Sequence, residues 1–381
     1  MKELIAELAQ KGIKLKLEAG KLKVLSKGQV EESLLQKLKT HKSDLLAFLQ
    51  QSQAQWEAIP KVAEAASYPL SAAQKRLWVL QQFEGASEAY HIPELLHLQG
   101  DVQIEKLQKA FVQIGQRHEI LRSTLREDAQ GEPQQYIAAA PLVALEYAVL
   151  SEENRATSLR AFVEKPFLLQ GGVLWRACLF QINAQEYILA VVFHHIISDA
   201  WSLGRFFEEI KTLYLQDEKA LPTLRIQYKD YSAWHQAQSA QLAKEEAYWK
   251  QQLVGTLPPL ALPGDYQRPK LKTYRGAQVS TEINLADWIP LATLGKQQGA
   301  THFILLLALF RAFFLRYTGQ SDLVIGTPVA GREHPDLEPQ LGFYVNTLAL
   351  RAVLQGDDDF AKVLEKVKYQ TLQAYEHQRY P

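Results

Sequence analysis

A seven-residue apolar run, residues 187–193, constrains the fold of this chain more than any other feature of the sequence. The run is rich in β-branched residues and contains no charge, which predicts a strand buried on both faces. After it, apolar residues recur at helical spacing from Leu203 through Phe206, Phe207 and Ile210 to Leu213. A buried strand that leads through a short loop into an amphipathic helix predicts a mixed α/β fold.

Two histidines, His194 and His195, begin the loop between this strand and helix, and Asp199 lies four residues beyond the second. Histidine titrates near neutral pH and therefore suits proton transfer. Adjacent residues of a strand point to opposite sides, so at most one imidazole faces a given cavity. Asp199 either orients an imidazole or pairs with an arginine and fixes the loop. The pair alone is more typical of a structural site, and its spacing lacks the further ligands that zinc needs.

Composition narrows the class of protein. The 381 residues suffice for two or three domains, and 42 basic residues balance 42 acidic ones, which argues against a nucleic-acid partner. The single cysteine, Cys178, excludes a disulfide framework and fits a reducing cytoplasm. We find neither a signal-peptide pattern nor an apolar run long enough to span a bilayer, so we expect a cytoplasmic protein without membrane contact. The most apolar segment, residues 304–314, predicts a buried core helix, although Arg311 interrupts it. Residues 228–250 predict one continuous helix.

The first 50 residues have a pattern of their own. Leu4, Ile5 and Leu8 predict a short helix that ends at Gly12, and alternation in residues 13–17 and 21–25 predicts a β-hairpin. Leucines in residues 34–38 and 45–49 predict two further helices, which gives a small αββαα unit. Four lysines lie along one face of the predicted hairpin: Lys14, Lys16, Lys21 and Lys23. They either form a solvated face that protects an exposed edge or mark an edge to which an acidic peptide adds as a strand.

Sequence motifs spread along the remaining chain carry a family resemblance. They are residues 71–80 with Arg76, residues 90–93, residues 117–123 with Arg117 and Arg122, residues 194–202, residues 228–234, residues 325–332 with Gly326 and Arg332, and residues 341–348 with Asn346. In this order they resemble the condensation domains of nonribosomal peptide synthetases, whose signature is His-His-x-x-x-Asp-Gly. Residues 377–381 match the start of the last family motif, so we expect the second lobe to be incomplete at Pro381.

One position departs from the signature, because Ala200 stands where the family has glycine. Glycine is used where the backbone needs a positive φ or close approach to a ligand. The added methyl group is tolerable if φ at Ala200 is negative and damaging otherwise. The following residues, Trp201 and Ser202, are those that the family often shows.

The N-terminal segment resembles the TubC-like docking domains that open some synthetase subunits. In that family the hairpin binds the C-terminal tail of the upstream subunit. The resemblance therefore implies four regions: a docking domain in residues 1–52, a linker in 53–67, an N-terminal lobe in 68–245 and a truncated C-terminal lobe in 246–381. The implied fold is α/β (α+β), a V-shaped pair of chloramphenicol-acetyltransferase-like lobes.

The resemblance also implies a reaction. A donor aminoacyl or peptidyl thioester on an upstream carrier protein is attacked by the amine of an aminoacyl thioester on a downstream carrier. Both substrates ride on phosphopantetheine arms, and no cofactor is bound directly. The expected partners are the two carriers, a downstream adenylation domain and the tail of the upstream synthetase protein, all in a bacterial cytoplasm. The motifs look most like those of domains that join two L-residues.

Residue roles follow from the same resemblance. His195 is the catalytic candidate, as a base or as a positioner of the attacking amine, and backbone N–H groups around Ala200 are candidates to stabilise the oxyanion. We expect His194 and Asp199 to be structural, with Arg332 as the ion partner of Asp199 because a buried carboxylate needs a cation. Arg117 and Arg122 are expected to be structural as well. Arg76, Gly326 and Asn346 are assigned to the tunnel wall or to structural motifs, and Gly326 is expected to mark the end of a strand.

Two alternatives remain open at this stage. The first alternative to a condensation enzyme is a related acyltransferase that uses a soluble acceptor. The second is a non-catalytic assembly platform whose site is disabled by Ala200 while its docking unit still binds. Dependence on a carrier-bound acceptor separates the first alternative from condensation. A gain of activity on Ala200→Gly substitution would favour the second.

Overall fold

The computed structural model describes residues 13–18, 21–25, 32–42, 45–46, 57–81, 88–216, 220–238, 242–257, 259–266 and 276–381. The chain divides into two compact units, Met1–Ile59 with Glu333–Glu338, and Pro60–Arg332 with Pro339–Pro381. The predicted helix over Leu4, Ile5 and Leu8 and most of the helix over residues 45–49 lie outside the described residues. The boundary between the two lobes at residues 245 and 246 stays a prediction.

The first unit contains the predicted β-hairpin. Strands β1 (Lys14–Glu18) and β2 (Lys21–Leu25) pair antiparallel, with Lys16 opposite Lys23 and Glu18 opposite Lys21. Helix α1 (Glu32–Thr40) follows and buries Leu34 and Leu38. The hairpin and the helix over residues 34–38 are therefore confirmed.

The central sheet of the second unit has four strands: β4 (His91–Gln99), β7 (Glu146–Val149), β8 (Trp175–Asn183) and β9 (Glu186–His194). Their order in the sheet is β4-β9-β8-β7. Strand β9 is the predicted buried run, and it pairs antiparallel with both β4 and β8. Residues Ala190, Val191 and Val192 of this strand have no exposed surface, as a strand covered on both faces requires.

Six helices and a second, smaller sheet also belong to this unit. The helices are α2 (Ala72–Leu80), α3 (Ile104–Arg117), α4 (Arg155–Glu164), α5 (Ala200–Leu215), α6 (Tyr228–Ala237) and α7 (Ala243–Gln252). A three-stranded sheet is formed by β3 (Tyr68–Pro69), β5 (Ser123–Glu127) and β6 (Pro133–Ile137). The amphipathic helix predicted after residue 203 is confirmed as α5, which buries Phe206, Ile210 and Leu213.

The sequence pattern suggested one helix from residue 228 to residue 250, and this prediction is wrong. Helix α6 ends at Ala237 and α7 begins at Ala243, where Leu242 has a non-helical backbone (φ −88°, ψ 16°). Glu245 and Glu246 lie in the first turn of α7. Acidic residues there favour a separate helix start, because they stabilise the positive end of the helix dipole.

The remaining elements form a second core. They are α8 (Leu285–Gln297), α9 (His302–Thr318), β10 (Asp322–Val329), β11 (Asn346–Val353) and α10 (Phe360–Glu376), with β10 and β11 paired antiparallel. Leu305, Ala308 and Leu364 are among the fully buried residues of this core. The mixed α/β class is confirmed.

Helix α9 is the predicted core helix over residues 304–314, but it is buried on one face only. Phe310 and Phe313 are more than half exposed, whereas Arg311 is 1% exposed. The Arg311 guanidinium donates to the carbonyl oxygens of Leu323 (2.9 Å) and Leu350 (2.5 Å). This charged residue can lie on the buried face because two strand carbonyls accept hydrogen bonds from it.

None of the helices among the described residues combines the length and the apolar character that a bilayer-spanning helix needs. Helices α8 and α9 pass the length and composition criteria only as a pair, and this pair is bent by 111°.

Candidate active site

The histidine pair lies where strand β9 ends. His194 is the last residue of β9, His195 begins a 3₁₀ turn (His195–Ile197), and α5 begins at Ala200. The His194 side chain is fully buried, whereas His195 is partly exposed. The turn therefore gives two neighbouring imidazoles different surroundings.

His194 is held on both ring nitrogens. Its Nδ1 atom accepts a hydrogen bond from the Ile196 N–H (3.1 Å), so the proton of the neutral ring is on Nε2. Its Nε2 atom lies 2.6 Å from Gln81 Nε2, within hydrogen-bond distance of that side-chain amide. Burial, together with the smaller effects of the nearby His91 and His195, lowers the pKa of His194 to about 3. A neutral, fixed imidazole supports the structural role expected for His194.

His195 has a different set of contacts. Its Nδ1 atom is buried and has no hydrogen-bond partner among the described residues. The ring packs edge to face against Phe343, with ring centroids 4.9 Å apart and an interplanar angle of 70°. This imidazole therefore lacks the hydrogen-bonded carboxylate or carbonyl that commonly orients a catalytic histidine.

Within the part of the chain that the structure describes, Asp199 accepts hydrogen bonds from three donors, none of which is a histidine. Its Oδ1 atom accepts from the Ser202 N–H (2.8 Å) and from Arg332 Nη2 (3.2 Å), and Oδ2 accepts from the Tyr344 N–H (3.1 Å). The first bond makes Asp199 the N-cap of α5. Of the two roles considered for Asp199, the contacts favour pairing with an arginine and fixing the loop.

Arg332 is the ion partner expected for Asp199. Both side chains are 1% exposed, so the pair is fully desolvated. Arg332 also donates to Ser202 Oγ (2.7 Å) and to the Gln340 carbonyl oxygen (2.7 Å). Its guanidinium lies 4.0 Å from the centre of the Tyr344 ring. These contacts supply the additional hydrogen bonds that a buried ion pair needs.

Ala200 occupies the first position of helix α5 and is solvent-exposed. Helical residues have a negative φ, so an alanine at this position is not strained. The side chain of Trp201 is 40% exposed, and its ring lies 5.8 Å from the Arg332 guanidinium. The backbone at the family's glycine position therefore accepts the methyl group of Ala200.

Residues 342–344 form a backbone segment that is bonded at every residue. Ser202 Oγ donates to the Gly342 carbonyl (2.8 Å) and accepts from the Gly342 N–H (3.1 Å). The Phe343 carbonyl accepts from the Tyr228 hydroxyl (2.7 Å), and the Tyr344 N–H donates to Asp199. Sequence reasoning identified this segment as a motif but assigned no role to Phe343. No periodicity or charge signal in the sequence connects Phe343 to His195.

Two predicted site residues belong to a separate polar network. Arg117 Nε donates to Glu209 (3.0 Å), which also binds the buried His118 (2.7 Å). Burial lowers the pKa of His118, although Glu209 opposes that shift. Arg122 donates to the Ala138 carbonyl and pairs with Glu119 (3.5 Å). These contacts favour the structural role expected for Arg117 and Arg122.

For three further predicted site residues, none of the contacts described involves His194 or His195. Arg76 is exposed on α2. Asn346 begins β11, and its side-chain amide donates to the carbonyls of Gln378 and Tyr380. Gly326 was expected to mark a strand end but lies within β10, opposite Ala349. A Cβ atom there would meet Thr347 Cγ2 at 3.7 Å, which is ordinary contact, so packing does not require glycine.

Two other predictions concern binding. The four hairpin lysines lie on β1 and β2 of the first unit, and their docking role stays a prediction. No group of three or more His, Cys, Asp or Glu side chains within the described ranges is arranged to hold a metal ion.

Comparisons with sequence families match the two parts of the chain separately. Residues 64–381 match the family described as Condensation domain, and residues 1–51 match the family described as TubC N-terminal docking domain. Bacitracin synthase 2 of Bacillus licheniformis is 36% identical over 384 residues, covering 99% of this chain and 15% of that protein. Gramicidin S synthase 2 of Brevibacillus brevis is 38% identical over 328 residues, which are 85% of this chain and 7% of that protein. The chain thus spans only a small part of the length of these curated relatives.

Solved structures share the fold. The X-domain from teicoplanin biosynthesis matches 85% of this chain and 74% of its own, with a TM-score of 0.77 and 28% identity. The cyclization-docking bidomain of EpoB from Sorangium cellulosum matches 99% of this chain and 78% of its own, with a TM-score of 0.69 and 21% identity. The second likeness bears on the fold alone.

Proposed function

Because this chain belongs to the condensation-domain family and also contains a TubC-type docking domain, we propose that it joins two carrier-bound substrates through an amide bond. The donor is an aminoacyl or peptidyl thioester on an upstream carrier protein. The acceptor is the α-amine of an aminoacyl thioester on a downstream carrier. No cofactor bound directly by this chain takes part, since the phosphopantetheine arms belong to the carriers.

The reaction needs a proton acceptor or a positioning group near the amine. The amine nitrogen attacks the donor carbonyl carbon, a C–N bond forms, and the C–S bond to the donor arm breaks. The nitrogen loses one proton, and the departing thiolate gains one. A neutral imidazole can accept the amine proton or hold the amine by a hydrogen bond. Backbone N–H groups at the start of α5 are candidates to stabilise the developing oxyanion.

The contrast between the two histidines is the observation that carries this proposal. His194 is fully buried and bonded at both nitrogens, whereas His195 is partly exposed and its buried Nδ1 has no partner among the described residues. His195 is therefore the member of the pair that can meet a substrate. We assign it the catalytic role, and we assign His194, Asp199 and Arg332 to the frame around it.

The test follows product on the carriers. The full-length protein is mixed with aminoacyl-loaded donor and acceptor carriers, and dipeptidyl-carrier is measured by intact-protein mass spectrometry. We expect His195→Ala to lower the rate by about 100-fold or more. His97→Ala, a change of the same kind on strand β4, serves as the control. A rate for His195→Ala equal to that of the control would contradict the catalytic role, and absence of product with the unaltered protein would contradict the reaction.

The acceptor requirement separates condensation from its nearest alternative. The same reaction is run with the free amino acid in place of the loaded acceptor carrier. Equal rates would favour a related acyltransferase with a soluble acceptor. A strong preference for the carrier-bound amine is the expected result.

We propose that the N-terminal hairpin binds the C-terminal tail of an upstream synthetase protein. The register brings Lys16 opposite Lys23, so cations on neighbouring strands concentrate positive charge on the hairpin. An acidic tail that adds as a strand to the hairpin edge is the complementary ligand. The chain then works beside a downstream carrier and adenylation domain in a bacterial cytoplasm.

Calorimetry with an acidic tail peptide tests the docking proposal. Replacing Lys14, Lys16, Lys21 and Lys23 by glutamate is expected to weaken binding by about 10-fold or more at low salt. Lys42→Glu, an exposed position in the same unit but outside the hairpin, is the control. Unchanged affinity in the fourfold variant would contradict the electrostatic part of the proposal.

A further inference from the structure

His195 is oriented by packing, because hydrogen bonding supplies no support to its inner nitrogen. Its Nδ1 atom is buried without a partner among the described residues, and Asp199 directs both carboxylate oxygens to other donors. Among the described residues, the ring of Phe343 packs against His195 at a centroid distance of 4.9 Å. An edge-to-face contact between aromatic rings has a preferred geometry, so Phe343 restricts rotation of the imidazole.

Phe343 can restrict the imidazole only if its own position is fixed. Its carbonyl accepts from the Tyr228 hydroxyl (2.7 Å), and Tyr228 is also within 2.8 Å of Ser71 Oγ. The preceding residue, Gly342, is bonded at both N–H and C=O by Ser202. The following residue, Tyr344, donates its N–H to Asp199. Every peptide unit around the Phe343 ring is therefore anchored.

Gly342 adds a steric constraint to this segment. Its φ is +155°, in the region that favours glycine, and a Cβ atom would lie 2.1 Å from Tyr228 Cδ2. The Tyr228 ring therefore rests directly against the Gly342 backbone. This close approach explains why the anchoring hydroxyl of Tyr228 reaches the Phe343 carbonyl.

Two of the three side chains that anchor residues 342–344 lie close in sequence to the imidazole. Asp199 and Ser202 belong to the start of α5, four and seven residues after His195. The same short stretch thus presents the imidazole and holds the segment whose ring packs on it. Asp199 can therefore influence the imidazole through the backbone of residues 342–344.

We propose that Phe343 is a positioning residue that sets the orientation of the His195 imidazole for the amine. The inference rests on the proposed function of His195. Asp199 and Ser202 act through Phe343, since they fix the backbone on either side of it. No covalent step is assigned to Phe343.

The test combines kinetics with NMR of the imidazole. Phe343→Leu keeps an apolar side chain but removes the ring, and Phe343→Tyr retains the ring. The matched control is Phe180→Leu, because Phe180 is similarly buried (5% against 8%) and also makes an edge-to-face contact, with Phe162. His195 resonances are identified in histidine-labelled protein by their loss in His195→Asn.

We expect Phe343→Leu to shift the His195 ring resonances and to lower kcat by about tenfold with KM changed by less than about twofold. Phe343→Tyr should retain most of the activity, and Phe180→Leu should change neither the resonances nor kcat. Thermal midpoints of all variants check that each is folded.

Unshifted His195 resonances in folded Phe343→Leu would overturn the inference whatever the activity. Shifted resonances with an unchanged kcat would overturn its catalytic part. Product formation by His195→Ala at the control rate would instead contradict the proposed function, so the two failures are distinguishable.

Discussion

Replacing Arg332 by methionine is expected to destabilise the second unit strongly. The substitution keeps much of the side-chain volume but leaves the Asp199 carboxylate buried without its cation. Both side chains of the pair are 1% exposed, so water cannot replace the guanidinium. Removing one partner of such a pair costs about 3–5 kcal/mol in the free energy of unfolding. The lost bonds to Ser202 and the Gln340 carbonyl place the expected value in the upper half of that range.

Urea unfolding followed by tryptophan fluorescence measures this loss. With an m-value of about 3 kcal/mol/M, a loss of about 3–5 kcal/mol lowers the midpoint by about 1 M or more. Arg160→Met is the matched control, because Arg160 forms an exposed ion pair with Glu164 on α4 (78% and 60% exposed). Pairs of that kind contribute about 0.3–0.5 kcal/mol.

A double-mutant cycle then isolates the ion pair. Asp199→Asn is made alone and together with Arg332→Met, and the coupling energy is expected to be about 1 kcal/mol or more. A midpoint for Arg332→Met equal to that of Arg160→Met would refute the reasoning. Additive effects in the cycle would refute the assignment of the loss to this pair.

Three further predictions concern residues around the histidines. Ala200→Gly should leave the condensation rate within about twofold of the unaltered protein, because Ala200 is exposed at a helix start; a large gain in the carrier assay would favour the disabled-platform alternative. The free energy of unfolding should fall by up to about 1.4 kcal/mol per pH unit as the pH drops from 6.5 toward the His194 pKa of about 3. The reason is that His194 is protonated in the unfolded chain over this range but stays neutral in the folded protein. His194→Asn should reduce this pH dependence in urea unfolding. Gly342→Ala should destabilise by about 1–3 kcal/mol through the clash with Tyr228, whereas Gly356→Ala, which meets nothing within 4 Å, should stay within about 0.5 kcal/mol; equal midpoints in urea unfolding would contradict the clash.

The sequence was most informative where one local signal determined an element. The apolar run before His194 predicted β9, the alternating lysines and leucines predicted the hairpin, and helical spacing after Leu203 predicted α5. These signals depend on side-chain period within a few residues, which burial on one or both faces imposes. The Asp199–Arg332 contact was also expected, because a buried carboxylate needs a cation and the family motif supplied one.

The sequence was least informative where two distant segments decide the outcome. Residues 228–250 have continuous helical character, yet the chain forms two helices. Arg311 interrupts the apolar segment of α9 in the sequence, yet it lies on the buried face of that helix because carbonyls of β10 and β11 accept hydrogen bonds from it. The contact between His195 and Phe343 depends on a backbone conformation at Gly342 that no periodicity encodes.

The frame around His195 is assembled from parts of the chain that are made at different times. Asp199 and the Tyr344 N–H that it binds are 145 residues apart in sequence. At a synthesis rate of about 5–20 residues per second, Tyr344 follows Asp199 out of the ribosome by about 7–30 s. Until residues 332 and 344 are synthesised, the Asp199 carboxylate at the N-cap of α5 lacks these two partners. The imidazole therefore gains its final surroundings late in synthesis, after the sheet that carries it can already have formed.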